Sequence, residues 1–107
     1  MSLADRSDIE DFVDRVEEVL GERLKEAILF GSYARDDHVP GSDIDIAFLA
    51  AEIEEDDEEK IWNIVGDFQE ERDLYFSPKM FRKEVFEQKI EEGYSFYTTV
   101  SEEGVRL

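Results

Sequence analysis

The chain has 107 residues, enough for one domain with a modest core and no second lobe. Asp and Glu number 30 against 12 Lys and Arg, a formal net charge of -18, and there is no cysteine. This composition excludes disulfides, thiolate metal sites and the basic footprint of direct nucleic-acid binding. The 41% of hydrophobic residues, set in periodic clusters, excludes a disordered acidic chain.

The opening "MSLADRSDIE" has no apolar signal core, and no stretch approaches membrane length, so a soluble, cytoplasmic protein without membrane contact is expected. Residues 7–21, "SDIEDFVDRVEEVLG", predict a helix. Ser7 and Glu10 supply a capping box, Ile9, Phe12, Val13, Val16 and Leu20 form the apolar stripe, and Gly21 stands near the end. "EAILFG" is a short continuous apolar run and predicts a buried strand. "SYARD" predicts a short helix after it. "DIDIAFLA" predicts a second strand, with Ile44, Ile46 and Phe48 on one face and Asp43 and Asp45 on the other. Residues 52–71 predict a second long helix with Ile61, Ile64, Val65 and Phe68 facing inward. "RDLYF" predicts a third strand. Residues 77–93 predict a third long helix, with Ser77 as N-cap, Pro78 in its first turn, Phe81, Val85, Phe86 and Ile90 inward, and Gly93 past its end. In the tail, Phe96, Val100 and Val105 suggest one more short packed element. The expected fold is α/β (α+β): a small mixed sheet of at least three strands packed by helices, in a single domain over residues 1–107.

Chemistry concentrates in "LFGSYARDDHVPGSDIDIAFL". Asp43 and Asp45 stand two apart at the start of a strand, so their carboxylates share a face and repel unless a cation joins them. Oxygen ligands of this kind suit Mg²⁺. A third carboxylate from another strand would complete a two-metal site, and Asp73 in "RDLYF" is the candidate, with Glu70 and Glu71 beside it as alternatives. Gly31 lets a ligand approach the backbone, and Ser32 adds a hydroxyl at a helix start, a setting that suits phosphate. Arg35 is a candidate phosphate ligand or a partner for local acids. The two halves together suit a metal-bound nucleoside triphosphate.

"GSYARDDHVPGSDIDI", a Gly-Ser pair followed across residues 33–42 by Asp-x-Asp, resembles the signature of the DNA polymerase β-type nucleotidyltransferase superfamily. The short chain resembles its minimal branch, nucleotidyltransferases paired as antitoxins with HEPN-domain toxins. That resemblance implies ATP or another nucleoside triphosphate bound by Gly31 and Ser32. It implies two Mg²⁺ ions, or Mn²⁺, on Asp43, Asp45 and Asp73, and AMP transfer to a hydroxyl, a tyrosine of the toxin in particular. The minimal family usually reads Ala-Arg-Gly where this chain has Ala34-Arg35-Asp36, so a reshaped loop is expected. The alternative is a non-catalytic module that neutralises a partner by binding it. A third option, transfer to a small molecule, needs an added substrate domain for which this chain has little room. A domain this thin is expected to complete its acceptor site with a partner or a second copy.

Other residues read as structural. His38 is expected in solvent, Trp62 in core or interface, and Tyr94 and Tyr97 in packing. The acid excess, with a pI near 4.2, fits a halophile's salty cytoplasm. Self-repulsion at this charge largely disappears at molar salt, where the Debye length is about 3 Å. Stability to urea is therefore expected to rise from dilute buffer to multimolar KCl; a flat or falling profile would remove the halophilic reading.

Overall fold

The computed structural model describes residues 2–107. α1 (Arg6–Leu20) buries Ile9, Phe12, Val16 and Leu20, the expected stripe. Its capping box is made by Asp5 and Asp8, not by Ser7 and Glu10. Asp5 accepts the Asp8 N–H at 2.9 Å and Asp8 accepts the Asp5 N–H at 3.0 Å, while the Ser7 hydroxyl donates to Asp5 from inside the first turn. Both positions carry capping residue types, and the earlier one satisfies its donors reciprocally.

β1 (Leu24–Phe30) leads through Gly31 into α2 (Ser32–Arg35), and β2 (Ile44–Ala50) follows. After α3 (Asp57–Arg72) come β3 (Phe76–Arg82), α4 (Lys83–Glu91), α5 (Ser95–Glu103) and the two-residue β4 (Val105–Arg106). The sheet order is β3-β2-β1-β4. β1 pairs antiparallel with β2 and with β4, and β2 pairs parallel with β3 across the α3 connection. The mixed sheet and its helices match the expected fold class. No helix among the described residues is long and apolar enough to cross a membrane.

β2 is buried on both faces from Ile46 to Ala50, as the unbroken apolar run there requires. Ile44, Ile46 and Phe48 join the residues of α1 and α3 in the larger core. There Phe12 stacks on Phe76 at 4.0 Å between ring centroids and meets Phe68 edge-on at 5.4 Å. Ala47 and Leu49 face the other way, into a smaller core with Ile28, Phe86 of α4 and Val100 of α5.

The largest departure lies at residues 73–82. "RDLYF" is not a strand apart from its last residue, and the helix expected from Ser77 begins only at Lys83. Residues 76–82 instead pair with β2 from Ile44↔Phe76 to Ala50↔Arg82. Phe76 and Met80 pack on the larger core and Phe81 on the smaller, the alternation of a strand. Ser-Pro resembles a helix start, but pairing with β2 outweighs that local signal, and β3 is an edge strand, where proline is tolerated. Trp62 is 47% exposed on α3, so it is not a core residue.

Among the described residues one charged side chain is buried. Asp57, 1% exposed, accepts from both terminal nitrogens of Arg23 at 2.7 and 3.0 Å and from the Glu54 N–H at 2.6 Å. It ties the turn before β1 to the start of α3, and α3 begins here, later than the expected residue 52. The Arg23 hydrogen bond holds the Asp57 carboxyl below its ordinary value of 3.8. The sign follows: its stabilisation is full above pH 3.8 and is lost as pH falls from there through the lower folded value. Asp57→Ala leaves the Glu54 N–H without its acceptor and Arg23 with only Glu54 and the carbonyls of Val19 and Glu52, and is expected to cost about 2–3 kcal/mol in urea unfolding at neutral pH. The deficit should shrink in acid, and a loss under about 1 kcal/mol would mean that the pair does not hold this corner.

Candidate active site

Antiparallel pairing sets the end of β1 against the start of β2, with Phe30 opposite Asp45. Gly31 follows at φ 75 and ψ -154, a backbone conformation essentially reserved for glycine. A Cβ built there would collide with the Asp45 carboxylate, lying 3.3 Å from its Cγ and closer to Oδ2. Gly31 caps α2, and Ser32 is that helix's first residue. Asp36 ends α2 at φ 60 and ψ 31, the left-handed conformation that glycine would supply without cost and that aspartate tolerates. The turn after Ala34-Arg35 is made by Asp36 itself.

Asp43 is exposed just before β2, and Asp45 is half-buried within it. Burial, and then the Asp43 charge, push the Asp45 carboxyl above the usual aspartate range. Lys79, the Ser77 hydroxyl and Arg35 pull it back only in part. A carboxylate in this position gains from any cation that takes over its proton's role.

Gly31, Ser32, Arg35, Asp43 and Asp45 line one cleft of about 650 Å³. Five of the six expected site residues therefore meet. Arg35 is exposed and paired with Asp37 at 3.2 Å, so both readings of it, phosphate ligand and local ion pair, share one side chain. The sixth residue, Asp73, does not line the cleft. It is the left-handed C-cap of α3, at φ 55 and ψ 39, and it accepts a hydrogen bond from the Tyr75 hydroxyl at 3.0 Å. Its expected place in a strand beside the pair is taken by other residues: Asp45 faces Ser77 on β3. Glu70 and Glu71 are exposed in the last turn of α3. Among the described residues, no group of three or more His, Cys, Asp or Glu side chains is placed to hold a metal ion. Asp43 and Asp45 alone fit Mg²⁺ in the manner of sites that share the ion with substrate phosphates, where one or two carboxylates suffice.

The cleft also has residues that motif reading missed. Ser42 and Phe30 line it, as do Phe96, Thr99 and Glu103 of α5. The only sequence signal for these three was helical spacing within an ambiguous tail. His38, expected in solvent, is half-buried with its ring stacked on Tyr33 at 3.9 Å, and it does not line the cleft.

Comparison with known proteins places this geometry. The family described as Nucleotidyltransferase domain matches residues 9–102. Two proteins of Methanocaldococcus jannaschii, each carrying a provisional name as a protein adenylyltransferase, are similar to the chain. MJ0141 is 32% identical over 78% of this chain and 86% of its own length. MJ0604 is 31% identical over 90% of each. Among solved structures, a toxin–antitoxin crystallised with AMP-PNP matches with a TM-score of 0.50 and 25% identity. That match covers 66% of this chain, which spans only 56% of the other. A mutant of the toxin–antitoxin MntA-HpeT matches at TM-score 0.55 and 17% identity over 91% of this chain and 70% of the other, a likeness of fold.

The raised Asp45 proton affinity has a signed consequence. The folded state favours the protonated carboxyl, so Asp45 costs stability above its folded value, and the cost fades as pH falls toward 3.8. Asp45→Asn is expected to raise the Tm of the metal-free protein at pH 7 and to lose that advantage in acid. Mg²⁺ should raise the Tm of the wild type and leave the variant unchanged. Thermal unfolding with and without Mg²⁺ checks both, and an Asp45→Asn variant that is less stable than wild type at pH 7 contradicts the burial argument.

Proposed function

The chain belongs to the nucleotidyltransferase domain family, and from that membership we propose that it transfers AMP from ATP to a hydroxyl of a partner protein, as the antitoxin of a toxin–antitoxin pair. One observation carries this reading: Gly31 and Ser32 meet Asp43 and Asp45 in a single cleft. Gly31 brings the head of α2 up against the Asp45 carboxylate, and the Ser32 hydroxyl and Arg35 bind the triphosphate's oxygens. Asp43 and Asp45 are the residues that would hold Mg²⁺ or Mn²⁺ against the phosphates. Once bound, the ion would neutralise phosphate charge and polarise the phosphorus under attack. The acceptor oxygen bonds to the α-phosphorus as the bond to the departing pyrophosphate breaks. The acceptor's proton passes to water or to a group of the partner. A second ion would have the same two carboxylates to share, since Ser77 stands where a third from β3 would face Asp45.

The provisional names of the two relatives support protein as the acceptor, and the toxin–antitoxin neighbour with AMP-PNP supports a nucleotide and a toxin partner. Within that reading the acceptor is a tyrosine of a HEPN-domain toxin, and the toxin or a second copy closes the acceptor side of the cleft. A second reading, a module that silences its partner by binding alone, draws support from the position of Asp73 outside the cleft.

The experiment incubates the protein with its candidate toxin, Mg²⁺ and α-labelled ATP in multimolar KCl. Label should pass to the toxin. Asp43→Asn should reduce transfer by on the order of a hundredfold or more, the loss of several kcal/mol of charge stabilisation. Asp73→Asn should stay close to wild type. Equal losses in both variants would return Asp73 to the catalytic set. A stable complex that silences the toxin without label would establish the binding reading instead.

A further inference from the structure

One wall of the cleft is built by α5. Phe96, Thr99 and Glu103 stand at helical spacing on one face of that helix and all line the cleft. Phe96 is 41% exposed where it lines the cleft, while the other cleft-lining aromatic, Phe30, is partly buried. It is not loose. It meets Phe30 edge-on at 5.9 Å and Tyr97 edge-on at 5.3 Å, contacts that hold the ring while leaving part of it open. Phe96 and Glu103 lie about 10 Å apart along the helix axis, at 1.5 Å rise per residue. That is too far to grip one base from both sides, and it is close to the span of a base with its ribose. An aromatic ring at one end of this span offers a stacking surface, and a carboxylate at the other offers an acceptor for hydroxyl donors.

Resting on the nucleotide site proposed above, we infer that the α5 wall is its nucleoside subsite: Phe96 stacks on the base and Glu103 accepts hydrogen bonds from the ribose hydroxyls. Stacking tolerates any base, so Phe96 provides affinity. The carboxylate provides the selection, favouring a ribonucleotide over an analogue that lacks the hydroxyls, because such an analogue leaves the acceptor unmatched. The triphosphate end stays with Gly31, Ser32 and Arg35, and no residue is shared between the two ends.

The test is calorimetric titration in multimolar KCl with Mg²⁺, using ATP, 2′,3′-dideoxy-ATP and inorganic tripolyphosphate on wild type, Phe96→Ala, Phe96→Leu and Glu103→Ala. Both Phe96 variants should bind ATP about tenfold more weakly, as loss of one stacked base implies, and should bind tripolyphosphate as wild type does. Phe96→Leu keeps an apolar side chain against Phe30, so its loss separates stacking from packing. Wild type should prefer ATP to the dideoxy analogue, and Glu103→Ala should abolish that preference whatever its effect on overall affinity. ATP binding unchanged in the Phe96 variants, or a sugar preference that survives Glu103→Ala, overturns the inference while the nucleotide site stands. Phe96 variants that bind ATP normally but lose transfer to the partner would assign the wall to the acceptor and overturn it equally. A wild type that binds neither ATP nor tripolyphosphate removes the nucleotide reading, and this inference with it.

Discussion

The site depends on the antiparallel pairing of β1 with β2. Because the strands run in opposite directions, the end of one meets the start of the other, and Gly31 arrives beside Asp45. Residues separated by a loop in sequence thereby share one cleft. The pairing also dictates residue type. The space where a Cβ on residue 31 would stand is held by the Asp45 carboxylate, so glycine serves two needs there, a positive φ and an absent side chain. The carboxylate in turn is half-buried by the same approach, which raises its affinity for a proton and makes the pair receptive to a cation. Backbone geometry and site electrostatics are one arrangement.

That arrangement works inside a strongly negative molecule. A net charge of -18 opposes the approach of a triphosphate in dilute buffer, and Asp36 and Asp37 lie close to the cleft. Arg35, the cation that lines the cleft, is paired with Asp37 in an exposed contact, and contacts of that kind are worth about 0–1 kcal/mol. A phosphate can therefore compete for Arg35 at small cost. Molar salt reduces the general repulsion by shrinking the Debye length to about 3 Å, while contacts inside the cleft, partly desolvated, are screened less. High salt thus favours the local attractions of the site over the long-range field of the surface.

What the sequence made legible follows a physical division. α1 and α3 carry apolar stripes whose period only a helix can bury, and Gly31, Ser32, Asp43 and Asp45 sit at strand ends whose apolar runs were plain. Residues 73–82 were not legible, because their structure is decided by a partner strand. Ser77-Pro78 carries the local chemistry of a helix start, whereas its conformation is dictated by pairing with Asp45-Ile46. Asp73 belongs to the same segment: it is the left-handed C-cap of α3 and not the strand residue its apolar followers suggested. The Arg23–Asp57 pair was equally hidden, since among so many surface acids nothing local marks the one that is buried.

The tail shows the same limit from the other side. "YSFYTTVSEEGV" is too polar to announce a core helix, yet α5 buries only Val100 deeply and spends its remaining positions on the cleft wall and the aromatic cluster beside it. A helix that packs through a narrow stripe can keep a second face for a ligand, and its composition then reads as ambiguous. β4 follows from α5 through Gly104 and pairs with Ile28 and Leu29, so the wall is fastened to the strand that delivers Gly31. The cleft is thus fastened through β1, which ends at Gly31, pairs with β2 and its carboxylates on one side, and holds β4 after α5 on the other.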